Sequence, residues 1–156
     1  MKTGWLNLSG SYYYFDANGV MQTGFQEIGG KWYAFNNSGR MLTGWIEDSD
    51  GNTYYAKSDG TIHFGWLSLG GEYYFFDNDG VMAIGWWEID GEIYYFDHNS
   101  STLGQMWYSI WITTPDGSVY YAGSDGALYR GGWYTIGGKS YYFYSDGECS
   151  NPPSFY

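Results

Sequence analysis

The chain has 156 residues, enough for one ordinary domain, and carries 19 Tyr, 9 Trp, 9 Phe and 25 Gly against 3 Pro. That much aromatic surface excludes a low-complexity disordered chain, and glycine at about twice its usual share suits many short strands joined by tight turns. Six basic and 17 acidic residues give a net charge of -11, which argues against nucleic acid or an anionic membrane surface as partner.

The elements recur with a period of about twenty residues. Repeat one runs from Gly4-Trp5 through an aromatic strand, Tyr12-Tyr13-Tyr14-Phe15, to Gly19-Val20-Met21. Repeat two has Phe25, then Trp32-Tyr33-Ala34-Phe35 and Gly39-Arg40-Met41. Repeat three has Gly44-Trp45, Thr53-Tyr54-Tyr55-Ala56 and Gly60-Thr61-Ile62. Repeat four has Gly65-Trp66, Tyr73-Tyr74-Phe75-Phe76 and Gly80-Val81-Met82. Repeat five has Gly85-Trp86, Ile93-Tyr94-Tyr95-Phe96 and a longer, irregular turn through Asp97 to Gly104. Repeat six has Trp111, Val119-Tyr120-Tyr121-Ala122 and Gly126-Ala127-Leu128, and repeat seven Gly132-Trp133, Ser140-Tyr141-Tyr142-Phe143 and Gly147-Glu148-Cys149. The boundaries fall near 4–23, 24–43, 44–64, 65–84, 85–109, 110–130 and 131–149, with a tail over 150–156 whose turn composition is expected to seal the last strand edge.

Asp50-Gly51, Asp90-Gly91, Asp116-Gly117, Gly29-Gly30, Gly70-Gly71 and Gly137-Gly138 read as short hairpin turns. One hairpin cannot bury a face alone, but hairpins stacked through aromatic rows can. The expected fold is therefore all-β, a solenoid of tandem β-hairpins forming one array over residues 1–149. The second and fourth positions of the aromatic strand share a face by strand alternation and are expected to stack.

The first position varies. It is aromatic in repeats one, two and four, as Tyr12, Trp32 and Tyr73, and those repeats end in Met21, Met41 and Met82. The others end in Ile62, Leu128 or Cys149, and repeat five is read as losing the position in its long turn. Rings appearing together with a polarizable thioether suit a compact methylated cation. A quaternary ammonium has no hydrogen to donate and needs only ring faces and apolar lining.

Gly-Trp, then Gly, then Trp/Tyr-Tyr-Tyr-Phe, then Gly-x-Met closely resembles the choline-binding, or cell-wall-binding, repeats of pneumococcal and related Gram-positive surface proteins and lysins, from Gly4 to Cys149. It is also similar to glucan-binding repeats of streptococcal glucosyltransferases and to the repeats of clostridial toxins. The resemblance implies a left-handed superhelix with choline caged between consecutive hairpins by two aromatics of one repeat and one of the next, beside methionine. Carried over, one cage uses Trp5, Tyr12 and Tyr33 with Met21. A second uses Phe25, Trp32 and Tyr54 with Met41, and a third Trp66, Tyr73 and Tyr94 with Met82. Trp45, Trp86, Trp111 and Trp133 face Thr53, Ile93, Val119 and Ser140, and are expected to give weaker or sugar-stacking sites. The implied partner is choline or phosphocholine-decorated teichoic acid at the surface of a secreted, wall-associated protein, and homodimerisation through a terminal repeat occurs in the family. The alternatives are carbohydrate-binding repeats for glucan or host glycan, and an adhesin or spacer binding a host protein.

Catalysis is not expected. Most acids lie in turns, His63 and His98 are isolated, and neither a nucleophile–base pair, a metal-ligand cluster nor a cofactor motif is present. The single cysteine, Cys149, excludes an intrachain disulfide. No stretch reaches transmembrane length and no signal peptide is visible before Gly4. The abrupt start inside a repeat suggests a piece of a longer protein.

Overall fold

The computed structural model describes residues 1–155; Tyr156, the end of the expected tail, lies outside the described residues. The described residues form fourteen strands in seven antiparallel hairpins. The strands pair as β1 (Gly4–Leu8) with β2 (Ser11–Phe15), β3 (Gly24–Ile28) with β4 (Lys31–Phe35) and β5 (Gly44–Glu47) with β6 (Thr53–Ala56). Next come β7 (Gly65–Leu69) with β8 (Glu72–Phe76) and β9 (Gly85–Ile89) with β10 (Glu92–Phe96). The last are β11 (Ile110–Thr113) with β12 (Val119–Ala122) and β13 (Gly132–Ile136) with β14 (Lys139–Phe143). The all-β expectation and each hairpin position agree with this arrangement. No helix among these residues is long and apolar enough to cross a membrane.

Turn chemistry sets the hairpins. At the Asp90-Gly91 turn both central residues have positive φ, 53° and 83°, which matches the twist of the flanking strands. Asp50-Gly51 and Asp116-Gly117 behave differently from expectation. Pairing stops at Glu47↔Thr53 and Thr113↔Val119, leaving five-residue loops. In the first, the Asp48 side chain accepts the N–H groups of Asp50 and Asn52 at 2.9 Å each, which rounds the loop instead of closing a two-residue turn.

The expected stacking row forms the core. Phe35, Ala56, Phe76, Phe96, Ala122 and Phe143, all fourth-position residues, are buried. Where alanine replaces phenylalanine, larger aliphatics make up the volume: Ile46 and Ile62 around Ala56, and Ile112 and Leu128 around Ala122. The chain divides into two compact units, Met1–Leu67 with Phe75–Met82, and Ser68–Tyr74 with residues from Ala83 onward. The first holds the Ala34, Ile46, Ala56 and Ile62 cluster. The second holds the Tyr95, Ile112, Ala122 and Leu128 cluster, and another of Val119, Tyr141, Phe143 and Cys149.

After each hairpin the chain turns and lays one residue back along it. Met21 bridges Phe15, Met41 bridges Phe35, Ile62 bridges Ala56 and Met82 bridges Phe76. In repeat five Met106 bridges Phe96, so the long turn does not lose this position. The longer turn bulges out between Asp97 and Gln105, whose backbone groups close it at 2.8 Å, and the register then resumes. Asp97 is buried and holds the bulge, accepting from Asn99 N–H at 3.0 Å and the Thr102 hydroxyl at 2.6 Å.

At the other end of unit two, the Asn151 side chain accepts the Tyr142 N–H at 2.9 Å and donates to the Ser140 carbonyl at 3.2 Å. With the Ser150 N–H donating to the Tyr142 carbonyl at 2.9 Å, residues after Cys149 pair with the outer edge of β14.

Candidate functional site

Among the described residues, aromatic rings from successive hairpins wall two clefts within the first unit and one within the second. The Trp5 slot is built from the turn upward. Trp5 stands opposite Tyr14 on β1, and its ring meets that tyrosine edge-on at 5.2 Å. Tyr33 of the next hairpin also meets Trp5 edge-on, at 4.9 Å. Tyr12 supplies a third ring, and Met41 completes a cleft of about 310 Å³ rimmed by Ser58 and Asp59. Trp5 and Tyr12 remain 37% and 44% exposed, so their rings are free to meet a ligand.

Met41 reaches this slot through the backbone. Its N–H donates to the Tyr12 carbonyl at 2.8 Å, one repeat back. Its side chain then lies over Gly60, whose φ is 85° and where a Cβ would overlap the methionine sulfur. At the rim, the Thr61 hydroxyl and then the Thr61 N–H bind Asp59 and hold its carboxyl below the ordinary value. The rim is therefore anionic at neutral pH.

The Phe25 slot repeats the plan with Phe25, Trp32, Tyr54, Ile62 and Phe64, rimmed by Asn78 and Asp79, around about 320 Å³. Phe25 and Tyr54 lie 4.6 Å apart. The Ile62 N–H donates to the Trp32 carbonyl at 2.8 Å. Burial, then the hydrogen bond and charge of Asp48, push the Tyr54 phenol above its usual pKa. The Trp86 slot, in the second unit, has Trp86, Ile93, Tyr120 and Leu128 with Thr114 and Asp146 around about 270 Å³. Trp86 and Tyr120 lie 5.3 Å apart, and the Leu128 N–H donates to the Ile93 carbonyl at 2.9 Å.

These bonds shift the methionine expected in the Phe25 slot by one repeat. Met41, not Met21, lies with Trp5, Tyr12 and Tyr33; Ile62, not Met41, lies with Phe25, Trp32 and Tyr54. Met21 packs over Gly39 instead. Met82 donates its N–H to the Thr53 carbonyl at 2.8 Å, which sets it on the Trp45 hairpin. Beside Tyr73 the structure has Met106, whose N–H reaches the Tyr73 carbonyl at 2.8 Å, and Tyr108, edge-on at 6.4 Å. From repeat two onward the physical reason is shared: the residue closing a repeat is strapped to the preceding repeat's first position, not to its own.

Of the remaining expected residues, Trp66 packs edge-on against Phe75 at 5.2 Å. Burial, then Asp125, raises the Tyr94 phenol. Trp45 contacts Tyr55 and Phe76 at 5.1 and 6.1 Å. Trp111 meets Tyr141 at 4.9 Å and Phe155 of the tail at 6.2 Å. Trp133 is 69% exposed and meets Tyr142 edge-on.

Sequence reasoning missed Phe64, Tyr108 and Met106. A signal was available for Phe64: it stands just before Gly65-Trp66, where Thr23, Thr43 and Ile84 occupy the matching place. Among the described residues no group of three or more His, Cys, Asp or Glu is disposed to hold a metal. Ring faces with an anionic rim offer recognition of a soft cation.

Comparison with known proteins agrees on the family. A model described as choline-binding repeat matches residues 22–62 and 64–111, and one described as putative cell wall binding repeat matches 3–21, 110–128 and 131–149. CbpJ of Streptococcus pneumoniae TIGR4 is 35% identical over 95% of this chain and 48% of its own, with a TM-score of 0.81. Choline binding protein F of Streptococcus pneumoniae is 34% identical over 96% of this chain and 47% of its own, with a TM-score of 0.83. The modular autolysin LytC of the same species is 28% identical over 96% of this chain and 34% of its own, at 0.71. The chain thus spans about half the length of CbpJ and of choline binding protein F. No curated protein matches it.

Proposed function

The chain belongs to the choline-binding repeat family, and from that premise we propose that it is a non-catalytic attachment module holding choline residues of teichoic or lipoteichoic acid on a Gram-positive cell wall. The observation that carries the reading is the Trp5 slot, where Trp5, Tyr12 and Tyr33 meet Met41 beneath an anionic rim. Each ring face attracts a desolvated quaternary ammonium by about 2 kcal/mol, and the thioether adds polarizable contact without asking for a hydrogen bond. The Phe25 slot has four rings and takes the same ligand. The Trp86 slot, with Ile93 and Leu128 as walls, offers fewer faces and binds it more weakly. The reading requires an extracellular location at the wall, and the activity of any longer protein containing this chain lies outside it.

The test is a calorimetric titration of the chain with choline and with its neutral isostere 3,3-dimethylbutan-1-ol. Choline is expected to bind at least about 10-fold tighter, because only the charged form exploits the ring quadrupoles. Equal affinities would reduce the slots to hydrophobic clefts. Retention on an α-glucan resin that choline does not disturb would favour carbohydrate instead.

A further inference from the structure

We propose that Asp48 is a positioning residue of the Phe25 slot, holding the Tyr54 ring as its wall and enriching that ring in electrons. The proposal rests on the reading of the slots as quaternary-ammonium sites and adds a residue that does not line the cleft. Asp48 opens the loop between β5 and β6, and its two carboxylate oxygens have separate tasks. Oδ1 accepts the N–H groups of Asp50 and Asn52 at 2.9 Å each and shapes the loop. Oδ2 accepts from the Asn52 side-chain amide at 3.0 Å and from the Tyr54 hydroxyl at 3.1 Å. The Asn52 amide foremost, with further help from the Tyr54 hydroxyl, holds the Asp48 carboxyl below its ordinary value, so the acceptor is anionic.

Two consequences follow for the slot. A charge-assisted bond at its far end fixes the ring whose centroid lies 4.6 Å from that of Phe25. A phenol donating to an anion also pushes electron density into its ring, and the ring face is what a quaternary nitrogen meets. This slot has the most to gain, since Phe25 stands where other repeats have tryptophan and Ile62 where the Trp5 slot has methionine. The device is local. The two-residue turn Gly29-Gly30 leaves no such carboxylate for Tyr33, and Thr114 begins the matching loop before Tyr120.

Asp48→Asn separates the two tasks. Asn36 already shapes a turn of this chain through Oδ1, accepting the Ser38 and Arg40 N–H groups at 3.0 Å each, so asparagine retains the loop while the anionic partner of Tyr54 is lost. The readout is the indole N–H resonance of Trp32 for this slot, and of Trp5 for the other, in the full chain titrated with tetramethylammonium. Asp48→Asn is expected to weaken the Trp32 response about 3–10-fold and leave Trp5 unchanged. Tyr54→Phe alone is expected to give the same loss, and Asp48→Asn added to it no further loss. An unchanged Trp32 midpoint in Asp48→Asn, or an equal drop in the Tyr54→Phe background, overturns the proposal while leaving the function standing. A wild-type Trp32 that ignores the cation overturns both.

Discussion

Met41 and Gly60 work as a pair. The methionine reaches the Trp5 slot only because the glycine backbone leaves room beneath it, at a φ of 85° that side chains rarely adopt. Gly60→Ala adds a methyl group where the sulfur lies and strains the turn. It is expected to cost about 1–3 kcal/mol of stability in a urea titration and to weaken choline at the Trp5 slot with the Phe25 slot little changed. The rings of the Trp5 slot were legible in the sequence, whereas Phe64 of the Phe25 slot was not. Trp5, Tyr12 and Tyr33 line one cleft, as the resemblance to choline-binding repeats implied. The methionine partner was not legible, because a single long-range backbone bond, Met41 N–H to the Tyr12 carbonyl, decides it. No spacing within one repeat encodes that bond.

At the scale of the element, hairpins were readable because glycine-rich turns and β-forming runs alternate without ambiguity. The irregular turn of repeat five was not. Its inserted residues hide the return to register, so Met106 was overlooked although it bridges Phe96 as Met82 bridges Phe76. Asp97 organises that insertion. Burial alone would raise its pKa, but hydrogen bonds from Thr102, Asn99 and Trp107 together outweigh burial and hold it below the ordinary value. A carboxyl depressed on folding stabilises the folded state above its unfolded pKa, about 3.9, and the contribution fades as pH falls through the lower folded value. Asp97→Ala is therefore expected to lose about 1–3 kcal/mol at neutral pH. The gap to wild type should narrow as denaturant titrations are carried down from about pH 5 toward pH 3. A gap independent of pH would remove the charge from the explanation and leave only packing.

For the whole molecule, recognition is distributed. Repeats with the same backbone plan carry different slot walls, from four rings around the Phe25 slot to the aliphatic pair Ile93 and Leu128 beside Trp86. A net charge of -11 surrounds these slots with a field that favours cations. The acids Asp59, Asp79 and Asp146, each at the rim of a different slot, bring part of that charge to the sites themselves. Graded slots on one chain suit a polymeric ligand bearing many copies of one small headgroup, since modest affinities multiply when several sites engage together. The most direct test is a crystal structure of the chain with excess choline. The account predicts a trimethylammonium group enclosed by Trp5, Tyr12, Tyr33 and Met41, and another among Phe25, Trp32, Tyr54 and Phe64. Both slots empty, or choline bound only away from these rings, would contradict it.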